Sequence, residues 1–294
     1  MILEKKKLNL VIFVVLLLLV AQTAVLPIRA VQAQQDINAE ELWLDLSMGP
    51  PLIPLFNAAA RNDDIARIEH PSQIDQLRGI ENGRKMVIFK SIEQTEAFLP
   101  DMAGEIDIIG YNLEHSPATP ADEQQDPVDS IKRMRELADE HDVLLAFGPD
   151  HDFALSHGVQ IAPYVDIFVL QIQRQQTNPG TVKAFVEPLV PLLHEANPAL
   201  EVSVQVRTEG DVQAIVDLVE SLDADLAGIS ILTSPETVDV AEELVLSLRP
   251  EAELPSEGFG QFSTGILLAV GGAILLVAVI IFRLMRQSGE DETA

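Results

Sequence analysis

Short apolar runs alternate along this chain with helical stretches of ten or more residues, and that alternation limits the folds open to it. Strands are predicted to start near residues 42, 65, 86, 106, 143, 165, 201 and 226. Runs such as Met86-Val-Ile-Phe-Lys90 and Val143-Leu-Leu-Ala-Phe147 carry almost no polar residue, as strands covered on both faces do. Helices are predicted over Ile92–Met102, from Asp126-Pro127 to about Glu140, over Thr181–Ala196, Asp211–Leu222 and Val238–Leu248. The second opens with proline in the first turn, where no N–H is needed. Strand–helix–strand units imply a parallel sheet, and eight of them close a parallel (β/α)8 TIM-like barrel. Ile65-Ala-Arg-Ile-Glu69 is the weakest strand; without it, an open doubly wound sheet competes. Neither G-x-G-x-x-G nor G-x-x-x-x-G-K-[ST] occurs after any strand, so no nucleotide cofactor is expected.

Both ends of the chain read differently. Lys5, Lys6 and Lys7 precede an apolar run, and Val31-Gln32-Ala33 resembles a signal-peptidase site, so residues 1–33 are expected to be a secretory signal. An uncleaved anchor is the competing reading. Residues 263–282 hold no charge and suffice to cross a bilayer as a helix; Arg283 and Arg286 follow at once, which puts the tail 283–294 in the cytoplasm. The expected plan is a signal, a barrel over 34–249, a linker over 250–262, one transmembrane helix and a short tail. That is a single-pass type I protein of the cell membrane with its main domain outside the cytoplasm.

Acids outnumber bases 46 to 19 over the 294 residues, a net charge of -27, and the excess lies in the barrel segment. Such a surface repels phosphate backbones, so no nucleic-acid partner is expected. The absence of cysteine excludes disulfides, thiol nucleophiles and zinc–thiolate sites. The six histidines show neither H-x-x-x-H nor H-x-H spacing, and no metal is expected.

Chemistry in a parallel barrel sits at the carboxyl ends of its strands. With the two-residue period of a strand, the inward positions there are Lys90, Asn112, Glu114, Asp150, Gln171, Gln173, Gln205 and Arg207. This set is rich in amides and charges, as a mouth for a polar, hydroxyl-rich ligand would be. Glu114 and Asp150 come from consecutive strands and are the candidate catalytic pair: two carboxyl groups flanking a glycosidic bond are what sugar hydrolysis needs. A loop role for Asp150, with its carboxylate on local N–H groups, is the alternative. Glu209 shares the inward parity, but Thr208-Glu-Gly-Asp211 reads as a helix N-cap followed by acids.

Tyr111-Asn-Leu-Glu-His115, followed by Thr119-Pro120, Glu123-Gln124 and Asp126-Pro127, resembles a segment of secreted (β/α)8-barrel proteins related in appearance to glycoside hydrolases. The resemblance implies a barrel and marks Tyr111, Asn112, Glu114 and His115. Ser116 stands where that pattern has tryptophan, which removes a surface for stacking a sugar. Two functions therefore fit: a glycosidase-like enzyme with Glu114 and Asp150 at its centre, and a membrane-tethered module binding a polar or carbohydrate ligand without turnover.

Overall fold

The computed structural model describes residues 37–252. The expected signal, transmembrane helix and tail, and the linker beyond residue 252, lie outside that range. No helix among the described residues is long and apolar enough to cross a membrane.

Eight parallel strands close into one barrel in sequence order. They are β1 (Trp43–Ser47), β2 (Ile65–Ile68), β3 (Arg84–Phe89), β4 (Ile108–Tyr111), β5 (Leu144–Phe147), β6 (Ile167–Gln171), β7 (Glu201–Arg207) and β8 (Gly228–Leu232). The weak second strand is real, and β1 pairs with both β2 and β8. The open doubly wound alternative is thereby excluded.

Among the described residues, nine α-helices pack outside the barrel or over its ends. In chain order they are α1 (Ile53–Ala59), α2 (Ile74–Arg78), α3 (Ile92–Met102), α4 (Ala121–Gln125), α5 (Pro127–Glu140), α6 (His151–Ile161), α7 (Pro179–Ala196), α8 (Val212–Glu220) and α9 (Val238–Leu248). Helix α6 fills the stretch between β5 and β6 where the sequence reading placed none. Its burial stripe is Phe153, Ala154, Gly158 and Ile161. Asp211, not Thr208, caps α8: its carboxylate accepts the Ala214 N–H at 2.9 Å. Thr208 instead meets Thr237 at 2.5 Å between hydroxyl oxygens.

The pleat sorts strand residues into two apolar bodies. Outward residues such as Leu46, Phe89, Tyr111, Phe147 and Phe168 pack with helix residues including Leu99, Met134, Val186 and Leu244. Inward residues Trp43, Ile65, Met86, Ile88, Ile108, Ala146, Ile167 and Val169 form a smaller separate cluster within the barrel. Trp43 fits because it faces Gly228 across the β1–β8 ladder. A Cβ at Gly228 would stand 2.1 Å from the indole Cδ2. Gly228→Ala should therefore cost about 1–3 kcal/mol by overpacking, read as a lowered melting temperature.

A second set of contacts closes the amino-terminal end. Arg249, wholly buried just after α9, donates to Asp64 Oδ1 at 2.7 Å, to the Leu42 carbonyl at 2.8 Å and to the Glu40 carbonyl at 3.2 Å. Asp64 in turn accepts the Leu44 N–H at 2.7 Å and the Arg61 N–H at 2.8 Å. One buried ion pair thus ties the entry of β1, the turn before β2 and the exit from the last helix.

Candidate functional site

Inside the barrel, above the apolar cluster, the inward positions turn polar. Asp45 of β1 and Arg67 of β2 are almost fully buried, at 1% and 2% exposure. The Arg67 Nε–H reaches both carboxylate oxygens of Asp45, at 2.8 and 2.9 Å. Arg67 Nη2 donates to the Ile231 carbonyl at 3.2 Å, and Nη1 contacts Glu69. On the far side Ser230 of β8 donates to Asp45 Oδ2 at 2.6 Å, and Gln205 of β7 donates to the Ser230 hydroxyl at 3.3 Å. Burial pushes the Asp45 carboxyl above its ordinary range, against the opposing pull of Arg67 and Ser230.

The chain from Gln205 to Arg67 forms one side of a cleft. The rest is Met86, Ile88, Gly110, Asn112, Ala146, Gly148 and Val169, and its centre has room for about one water molecule. Gly110 and Gly148 keep that space open. A Cβ at Gly148 would lie 2.7 Å from Asn112 Oδ1, so Asn112 leans across the cleft only because residue 148 has no side chain. Gly148→Ala is expected to turn Asn112 aside at little cost in stability, since the atom it meets is the free end of a side chain. Ligand affinity, followed by titration calorimetry, should fall more than the melting temperature does.

Above the cleft stand the predicted rim residues. Lys90 Nζ lies 3.2 Å from Glu114 Oε2, a half-buried pair bridging the loops after β3 and β4. Gln171 Nε2 donates to the Gly148 carbonyl at 2.9 Å and its Oε1 accepts from Gln173 at 3.0 Å. The buried Gln173 Oε1 has no partner among the described residues. Arg207 ends β7 on the inward parity of Gln205; its backbone N–H is held by Gln176 Oε1 at 2.8 Å. The structure thus gathers Lys90, Asn112, Glu114, Gln171, Gln173, Gln205 and Arg207 about one end of the barrel. Asp45, Arg67 and Ser230, missing from the sequence-predicted set, join them from below. The same parity applied to β1, β2 and β8 would have found them.

Three predicted residues are engaged in contacts of their own. Tyr111 faces outward into the helix layer, fully buried, and donates to Glu123 Oε2 at 2.6 Å. Burial pushes its phenol upward, and the Glu123 hydrogen bond adds to this. Asp150 precedes α6 without capping it; its Oδ2 accepts the His115 N–H at 2.8 Å, and Arg174 lies 3.6 Å from Oδ1. That is the loop-tying role weighed against a catalytic one. His115 is exposed, stacks on Phe153 and sits 2.7 Å from Asp152. Much of the resembling segment therefore knits its own loop: Gln124 Nε2 donates to the Thr119 carbonyl at 2.8 Å and the Ser116 carbonyl at 3.2 Å.

The hydrogen bond that His115 donates to Asp152 raises the His115 pKa above its usual 6.5. Because the folded value is the higher one, this contact contributes fully below about pH 6.5 and is lost as pH rises through the folded pKa. An NMR titration of the imidazole should show a midpoint above 6.5 that falls in Asp152→Asn.

No family model and no curated protein matches the sequence. Among solved structures, the chain is similar to 3-keto-L-gulonate-6-phosphate decarboxylase from Vibrio cholerae, with 13% identity and a TM-score of 0.49 over 72% of this chain and 97% of that one. A putative phosphonomutase from Burkholderia cenocepacia gives 15% identity and a TM-score of 0.45 over 73% and 94%. The carboxyl transferase domain of Rhizobium etli pyruvate carboxylase gives 11% and 0.44 over 75% and 49%. The barrel itself rests on its own strand pairing, not on these likenesses.

Proposed function

We propose that this protein is a membrane-tethered barrel outside the cytoplasm that binds a small polar, hydroxyl-bearing ligand at the carboxyl rim of its strands. The observation that carries the reading is the convergence of Asn112, Gln205 and the buried Asp45–Arg67 pair on one cleft beneath the Lys90–Glu114 pair. A barrel interior gains nothing in packing from so many polar groups, and each costs free energy unless satisfied. Amides and charges from β1, β2, β3, β4, β7 and β8 offer donors and acceptors in the density that hydroxyl recognition requires. Tethering rests on the apolar segment 263–282 and the arginines that follow it.

Turnover is the second reading, and the position of Glu114 favours it. It stands at the rim, half-buried and oriented by Lys90, as the main carboxylate of a glycosidase-like site would. Asp150 is a weaker partner, because a backbone N–H and Arg174 already engage it. The test is Glu114→Gln, assayed both for release of chromophore from aryl glycosides and for ligand affinity. Loss of release by about a hundredfold or more with affinity retained would identify an enzyme. Binding without hydrolysis of any glycoside in wild type leaves the non-catalytic module. Absence of binding to any polar ligand would overturn both.

A further inference from the structure

In so acidic a protein, the arginines of the described residues are almost all engaged by carboxylates. Eight of the nine arginines there are ion-paired: Arg61, Arg67, Arg78, Arg84, Arg133, Arg135, Arg174 and Arg249. Arg207 is the exception. Its guanidinium makes neither an ion pair nor a hydrogen bond with any described residue, although the chain carries 46 carboxylate side chains. Nor is it a loose surface group: it is half-buried and ends β7 two residues beyond Gln205. Its backbone is fixed on both sides, since Gln176 accepts its N–H at 2.8 Å and donates to its carbonyl at 3.1 Å.

An unpaired, partly desolvated guanidinium at a binding rim is set up to receive a planar anion by two parallel hydrogen bonds. The rim ammonium Lys90 is already engaged by Glu114, so Arg207 is the rim cation left without a carboxylate partner among the described residues. One free charge matches a carboxylate. A phosphate dianion would leave an excess negative charge within a field of net -27. Combined with the amide groups of Asn112, Gln171, Gln173 and Gln205, this narrows the ligand. Resting on the binding reading above, we infer that the ligand is a hydroxy-carboxylate of uronic-acid type, with its carboxylate on Arg207 and its hydroxyls on the neighbouring amides.

Titration calorimetry of the barrel segment within the full chain in detergent, with D-glucuronate, D-glucose and D-glucose 6-phosphate, tests this. Glucuronate should bind at least about tenfold more tightly than glucose, the worth of one charge-assisted contact. Arg207→Gln should abolish that preference, bringing glucuronate down to the affinity of glucose, with the melting temperature close to that of wild type. If the variant fails to fold, the wild-type comparison among the three probes decides alone. Equal affinity for glucuronate and glucose overturns the inference and leaves the binding mouth standing. Preference for the phosphate overturns the assignment of a carboxylate. Failure of all three at millimolar concentration overturns the inference together with the reading beneath it.

Discussion

Arg67→Met is expected to lose about 3–5 kcal/mol of stability, because it leaves the Asp45 carboxylate buried without its counter-ion. A domain of this size is stable by only about 5–15 kcal/mol, so the variant should stand near the edge of folding. Both partners are essentially inaccessible, and the guanidinium also serves Glu69 and the Ile231 carbonyl, so no water can take its place cheaply. The pH dependence follows from the sign of the shift. Burial already raises the Asp45 carboxyl, and removing Arg67 deletes the largest opposing influence. A raised folded-state value means that this carboxyl favours folding most below its unfolded value of about 3.9, and the benefit is lost as pH rises through the folded value. Urea melts should therefore show a smaller deficit for the variant at about pH 4 than at about pH 7. The double variant Asp45→Leu, Arg67→Met should recover much of the loss, since replacing a whole buried pair is often near neutral. A deficit independent of pH would contradict this account.

Arg249→Met should cost a similar amount, about 3–5 kcal/mol, by a different route. It strands Asp64 and the carbonyl of Leu42 at the closed end, away from the cleft, whereas the Glu40 carbonyl keeps its bond from Arg61 Nη1 at 2.6 Å. Asp64 would keep its bonds from the Leu44 and Arg61 N–H groups, so the entry to β1 should loosen before the rest of the barrel. Hydrogen exchange is the appropriate measurement, with early loss of protection at residues 40–46 and near 249. Ligand affinity in the surviving folded fraction should match wild type, whereas Arg67→Met should weaken it.

Much of the fold was legible in the sequence because buried parallel strands leave nearly uninterrupted apolar runs. Met86–Phe89 and Leu144–Phe147 are such runs, and helices Ile92–Met102 and Val238–Leu248 form at their predicted bounds. Helix α6 was missed because His151-Asp-Phe-Ala-Leu-Ser-His-Gly carries glycine and two histidines where helix formers would announce it; packing of Phe153 and Ile161 outweighs that weak propensity. Asp45 and Arg67 were not singled out because alternation in Leu42-Trp-Leu-Asp-Leu-Ser reads equally well as a strand with one wet face. Only barrel closure makes that face an interior. Tyr111 shows the reverse error: its motif neighbours suggested a site, but the pleat turns it to the helices, one residue out of phase with Asn112.

The most direct test is a map of backbone amide shifts during titration with D-glucuronate. If the inward side chains at the carboxyl ends of β3, β4, β6 and β7 form one mouth, the shifts will cluster at residues 90, 112–114, 171–173 and 205–207. Perturbations gathered instead around His115, Asp152 and the outer face of α6, or spread without focus over the surface, would contradict it.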